Sequence, residues 1–195
     1  DILRGLSYLH SNNIIHRDIK GANILLDKSG KVKLGDFGVA KLIKNDLGEI
    51  FSQNSFVGTP YWIAPEIIQS ENTVIHVTAD IWSLGCTIIE CLTGSPPYAN
   101  LHHCNAIFRI VDDVHPELPQ NISSVLSSFL KKCFTKNPMT RPSADQLLQE
   151  PWIQNCRYSS GITFSLAECE KPEKEIDPTE TKDFCKNTFV LPLAL

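Results

Sequence analysis

Residues 79–94, ADIWSLGCTIIECLTG, constrain this chain more than any other stretch. A helix formed by this run carries apolar side chains on nearly every face, so it leaves no face for water. It has to lie inside the molecule, with the rest of the chain packed around it. Gly94, followed by Pro96 and Pro97, ends it. Asp80 stands at its start, and a buried carboxylate is costly unless partners are supplied. Trp82 reads as core, and Cys86 and Cys91 read as small apolar core residues of the same helix. The run is too short and too interrupted to span a bilayer.

The remaining sequence supplies the packing. Ile2, Leu3, Leu6 and Leu9 fall on one helical face, and Ser11-Asn12-Asn13 ends that helix. Residues 24–27 and 31–34 predict two short strands, with DKSG as the turn between them. Residues 36–66 lack periodicity and contain Gly38, Gly48, Gly58, Pro60 and Pro65, which predicts one long ordered or switchable loop. Further helices are expected at 104–112, 122–134 and 144–150, with Ser143 as N-cap of the last. Two short strands followed by helices predict a mainly α domain with a small β-hairpin. Beyond residue 156 the sequence AECEKPEKEIDPTETKD is charged and poor in bulky apolar residues. Residues 157–195 are therefore expected to form a disordered charged tail. Its closing FVLPLAL reads as a loosely packed terminus or a docking segment.

A net charge of −4 gives no support to a nucleic-acid or membrane-binding surface. Seven scattered cysteines without a CxxC pair fit reduced thiols better than a disulfide framework or a zinc site. LHHC, residues 101–104, lacks a second ligand cluster and is not read as a metal site. With no signal peptide or lipidation motif in the sequence, a cytoplasmic location is the expectation.

The chemistry gathers in IIHRDIKGANILL, residues 14–26. Asp18, Lys20 and Asn23 share one loop, and Asp36 follows directly after the second predicted strand. A hairpin brings both loops to one edge, collecting two carboxylates, an amide oxygen and a lysine. Such oxygen ligands suit Mg2+, which is usually shared with phosphates. Lys20 can neutralise a phosphate oxygen, and Asp18 can accept a proton from a hydroxyl. The apolar ends, Ile14 and Ile15 on one side and Ile24, Leu25 and Leu26 on the other, are expected to anchor the loop against the helical core.

HRDIKGAN, DFG and APE, in that order, resemble the protein-kinase signature set. The resemblance implies the larger, helical lobe of a serine/threonine protein kinase over residues 1–156, using ATP and Mg2+. It implies that Asp18 orients the substrate hydroxyl as catalytic base, that Lys20 contacts the transferred phosphate, and that Asn23 and Asp36 hold magnesium. Thr59, in GTPYW, resembles the threonine that braces the site and favours serine or threonine acceptors. Glu66 and Arg141 resemble the ion pair tying the activation segment to the helical lobe. Asp80 resembles the residue that holds the catalytic-loop backbone, and His16 is read as bracing the loop. Ser55, four residues before Thr59, matches an activating phosphosite, with Ser52 and Thr59 as weaker alternatives. A phosphate there adds about −1.5 to −2 charges, which Arg17 could pair with.

The chain is most similar to the STE group, and within it to plant MAP-kinase-kinase-kinase epsilon-type kinases and fungal septation kinases. That similarity implies a protein substrate such as a downstream kinase, a small GTPase partner and a link to cytokinesis. A whole kinase also has a glycine-rich loop, a strand lysine and a helix glutamate before the catalytic loop. The first residues here already read as the helix leading into that loop, so the ATP-clamping lobe is expected to be missing and the isolated chain to be inactive. The alternative reading is a non-catalytic truncated lobe that binds substrates or partners.

Overall fold

A computed structural model gives the fold and describes residues 1–42, 60–69 and 76–155. The expected positions Ser52, Ser55 and Thr59 lie outside the described residues, as does the tail from Cys156 onward with its closing FVLPLAL.

Helix α1 (Ile2–Ser11) buries Leu3, Leu6 and Leu9, the stripe that the sequence predicts. Strand β1 (Ile14–Ile15) follows, then a 3-10 turn at Gly21–Asn23. Strands β2 (Ile24–Leu26) and β3 (Val32–Leu34) pair antiparallel, Leu25 opposite Lys33. They are each one residue shorter than expected, because Asp27 and Lys31 belong to the turn. The Asp27 carboxylate accepts from the Ser29 hydroxyl and from the Ser29 and Lys31 amides, and Gly30 takes a φ of 77°. The Ser29 hydroxyl, with the Lys31 amide, holds the Asp27 carboxyl well below its ordinary range.

Strand β4 (Lys41–Leu42) pairs antiparallel with β1. A 3-10 turn at Pro60–Trp62 and helix α2 (Pro65–Gln69) follow. The reading of 36–66 as one long ordered or switchable loop is corrected at these three places, where short regular elements stand. Their partners are distant in sequence, so no local periodicity announces them.

Helix α3 (Ala79–Thr93) is enclosed from Ala79 to Thr87, as its all-round apolar character demands. Its second half rises toward solvent and ends at Gly94, whose φ is 79°. Cys91 lies in that half and is only half-buried, which corrects its assignment to the core; Cys86 is fully buried. Two core clusters share α3. On one side Ile81 and Leu84 pack with Leu6, Phe129 and Leu147. On the other Trp82, Cys86 and Ile89 pack with Ile110, Leu130 and Phe134. Gly85 lets α3 approach Phe134 closely, since a Cβ there would lie 2.8 Å from the ring.

Helices α4 (His103–Asp112) and α5 (Ser124–Cys133) lie within one or two residues of expectation. Ser123 caps α5 by accepting from the Leu126 amide. Ser143 caps α6 (Ala144–Leu148) in a full capping box with Gln146. The expected extension of α6 to residue 150 is corrected. Pro151 has no amide proton to continue the helix and instead opens α7 (Pro151–Gln154).

One expectation about anchoring also fails. Ile15 is buried, but Leu25 and Leu26 are 54% and 51% exposed. Leu25 lies against Gly35, and the β2–β3 ribbon has no third strand among the described residues to cover it. Among the described residues, no helix is long and apolar enough to cross a membrane.

Candidate active site

The loop from His16 to Gly21 is shaped by α3. Asp80, 1% exposed, accepts from the His16 and Arg17 amides at 2.9 and 2.8 Å, and from His10 Nε2 at 2.9 Å. These donors satisfy the buried carboxylate. Arg17 takes a φ of 71°, a conformation uncommon for a side chain of its size. Burial pulls its guanidinium below the ordinary value, and the Asp80 charge opposes that shift. Further along, the Thr87 hydroxyl donates to the Ser83 carbonyl at 2.8 Å within the helix and lies 3.4 Å from the Ile19 carbonyl, and Glu90 accepts from the Gly21 amide at 2.9 Å.

Held at both ends, the loop presents Asp18, Lys20 and Asn23 together. Lys20 Nζ lies 2.8 Å from Asp18 Oδ2. Asn23 Nδ2 donates to both the Asp18 carbonyl and Asp18 Oδ2, each at 2.8 Å. Two donors therefore fix the Asp18 carboxylate. The amide nitrogen of Asn23 is used inward, which leaves its oxygen as the acceptor available to a cation.

Asp36 is tied to the same edge through its neighbour. The Gly35 amide donates to the Asn23 carbonyl at 2.8 Å, and the Gly35 carbonyl lies 3.0 Å from His16 Nε2. His16 is fully buried and its ring lies 4.9 Å from that of Phe37. Its Nδ1 is 3.4 Å from the Asp18 amide, so a neutral ring protonated at Nε2 satisfies both contacts. Asp36 itself is exposed, with a φ of 54°, and accepts from the Gly38 amide. An Asp carboxylate and an Asn carbonyl are hard oxygen donors, and this is the set that Mg2+ takes alongside substrate phosphates. Among the described residues no group of three or more His, Cys, Asp or Glu forms a metal-binding cluster on its own.

Glu66 and Arg141 meet in a two-pronged ion pair at 2.7 and 2.8 Å. Arg141 is buried and also donates to the Thr78, Thr135 and Lys136 carbonyls. The pair fastens α2 to the start of α6 and to the residue before α3.

Sequence reading singled out Asp80 on α3 but passed over Ser83, Thr87 and Glu90. Ser83 donates to the Trp62 carbonyl at 2.7 Å, and Glu90 accepts from Trp62 Nε1 at 2.9 Å. A signal was available. Positions 80, 83, 87 and 90 carry polar groups at helical spacing in a helix whose other residues before Thr93 are apolar or glycine.

Residues 1–153 match the protein kinase domain family. The chain is 53% identical over 161 residues to Cytokinesis protein sepH of Aspergillus niger, a match covering 83% of this chain and 12% of that protein. It is 47% identical over 183 residues to MAP3K epsilon protein kinase 2 of Arabidopsis thaliana, covering 93% of this chain and 13% of the relative. Cell division control protein 7 of Schizosaccharomyces pombe is 46% identical over 175 residues, covering 90% of this chain and 16% of that protein. The chain thus spans less than a fifth of the length of these curated relatives.

Proposed function

This chain belongs to the protein kinase family, and we propose that in its full-length protein it transfers the γ-phosphoryl group of ATP to serine or threonine of a protein substrate. The observation that carries the reading is the Asp18 carboxylate, fixed by Lys20 and Asn23 beside the Gly35–Asp36 corner. Asp18 is the group placed to align a substrate hydroxyl and take its proton. Lys20, already against Asp18, brings positive charge to where the transferred group would sit. Asn23 and Asp36 are the residues that would hold Mg2+, which with ATP bound neutralises phosphate charge.

Residues 1–155 supply the hydroxyl-orienting and metal-holding half of such a centre. The glycine-rich loop and strand lysine that hold ATP in this family have no counterpart identified in these 195 residues. Phosphorylation of Ser55, paired with Arg17, is proposed to activate the enzyme, and Thr59 to favour serine or threonine acceptors. The names of the relatives support a MAP3K-type cascade with a downstream kinase as substrate, in the setting of cell division.

The test is phosphate transfer to a protein acceptor by the full-length protein, compared with Asp18→Asn and Asp36→Asn. Both variants are expected to lose transfer. Full activity in Asp18→Asn would overturn the reading.

A further inference from the structure

Helices α1, α3, α5 and α7 leave an open apolar groove of about 750 Å³ between them. That is within the range of clefts that take a ligand, about 300–1,000 Å³. Leu84 and Phe129 form its buried floor, and Ile2, Ile88, Trp152 and Ile153 stand partly buried around it. A contiguous apolar surface shared by several elements marks a place where another segment packs.

Two features point to the segment. The first is the course of the chain. Trp152, Ile153 and Gln154 line the groove, and Gln154 is the last residue of α7, so residues 156–195 set out from its mouth. The 33 residues at 156–188 can span up to about 110 Å, so FVLPLAL, residues 189–195, is within reach of the whole groove. FVLPLAL carries no polar side chain. A tethered segment also meets its site at an effective concentration on the order of millimolar, well above that of a free partner.

The second feature is charge. Val32 joins the groove to the β2–β3 turn, where Lys28, Lys31 and Lys33 are exposed. With Arg4, which also lines the groove, these cations outnumber Asp1 and Asp27. Asp27 is already engaged by the Ser29 and Lys31 amides, and Glu150 at the start of α7 is paired with Lys132. Residues 168–183, shortly before FVLPLAL, carry seven acidic side chains against three lysines. Opposite charge draws this stretch to the turn and brings the apolar end to the apolar walls.

We propose that the groove is an intramolecular docking site for residues 189–195, with the acidic stretch at 168–183 against the β2–β3 turn. The proposal does not depend on the phosphate-transfer reading.

The test uses residues 1–195 as one chain. Benzoylphenylalanine in place of Leu191 is photo-cross-linked, and the products are mapped by mass spectrometry. Cross-links within one chain to 1–4, 84–88 or 149–154 are expected. Ile153→Asp, which puts a charge in the groove, is expected to cut their yield about tenfold. Where Ile153→Asp does not fold, Lys28→Glu/Lys31→Glu on the exposed turn decides, with a fall of about threefold expected. An unchanged yield in the folded variants would overturn the proposal. Cross-links between two chains would assign the groove to a second copy. Cross-links lost from a chain extended ahead of Asp1 would assign it to the residues preceding Asp1. Either result would also overturn the proposal.

Deuterium exchange gives a readout without a cross-linker. Leu191→Asp/Leu193→Asp is expected to speed amide exchange at 149–154 about tenfold, the change for a segment docked about nine-tenths of the time. Exchange that keeps its wild-type rate would show that residues 189–195 do not cover the groove.

Discussion

The Asp18 carboxylate is already engaged at one oxygen, with Lys20 Nζ and Asn23 Nδ2 both at Oδ2. Its position is set before any substrate arrives. Asp18→Asn is therefore expected to lower kcat about 10²- to 10⁴-fold, the range for a positioned acid or base, while KM for ATP changes little. Radiometric transfer at saturating acceptor measures it. Arg141 poses a different question, since removing it leaves the Glu66 carboxylate with its main partner gone. Arg141→Ala is expected to cost about 3–5 kcal/mol in urea denaturation, the scale for breaking a buried pair from one side. The buried thiols of Cys86 and Cys133 are pushed up by burial, chiefly through loss of solvent. A group whose value rises on folding contributes stability below its unfolded value and loses it as pH climbs above. The melting temperature is thus expected to fall as pH rises past about 9, where unfolded thiols ionise. A flat profile through that range would contradict it.

At the scale of elements, α3 organises both core and site, and its close packing is testable. Gly85→Ala sets a methyl group 2.8 Å from the Phe134 ring, so a loss of about 1–3 kcal/mol in stability is expected from overpacking. Ser143→Ala removes one half of the α6 capping box and is expected to cost about 1 kcal/mol. Chemical denaturation of each variant reads both values. The elements legible in the sequence were those whose causes are local: the leucine stripe of α1, the Asp27–Gly30 turn, the glycine end of α3 and the Ser143 cap. The β1–β4 pair was not legible, because its two-residue strands exist only once distant chain segments meet. The end of α6 at Pro151 was legible but passed over. In the site, Asp18, Lys20, Asn23 and Asp36 stand in short motifs and could be read directly. Glu90, Ser83 and Thr87 were hidden by the apolar character of their helix, which draws attention to packing and away from its one polar face. The exposure of Leu25 and Leu26 could not be read, because a continuous apolar run in a strand says nothing about what covers it.

For the molecule as a whole, the candidate site rests on α3 as its support. Residues 1–195 alone are expected to transfer phosphate slowly or not at all, and a chain extended toward its N-terminus to transfer it faster; equal rates in the same assay would contradict this. The support has its own consequence. Three amides between His16 and Gly21 end on α3: those of His16 and Arg17 on Asp80, and that of Gly21 on Glu90. A segment held in this way cannot open on its own, as a surface loop does. Those three amides should exchange hydrogen for deuterium only in events that also dislodge the helix, so the loop that carries Asp18 would belong to a slow-opening unit of the chain.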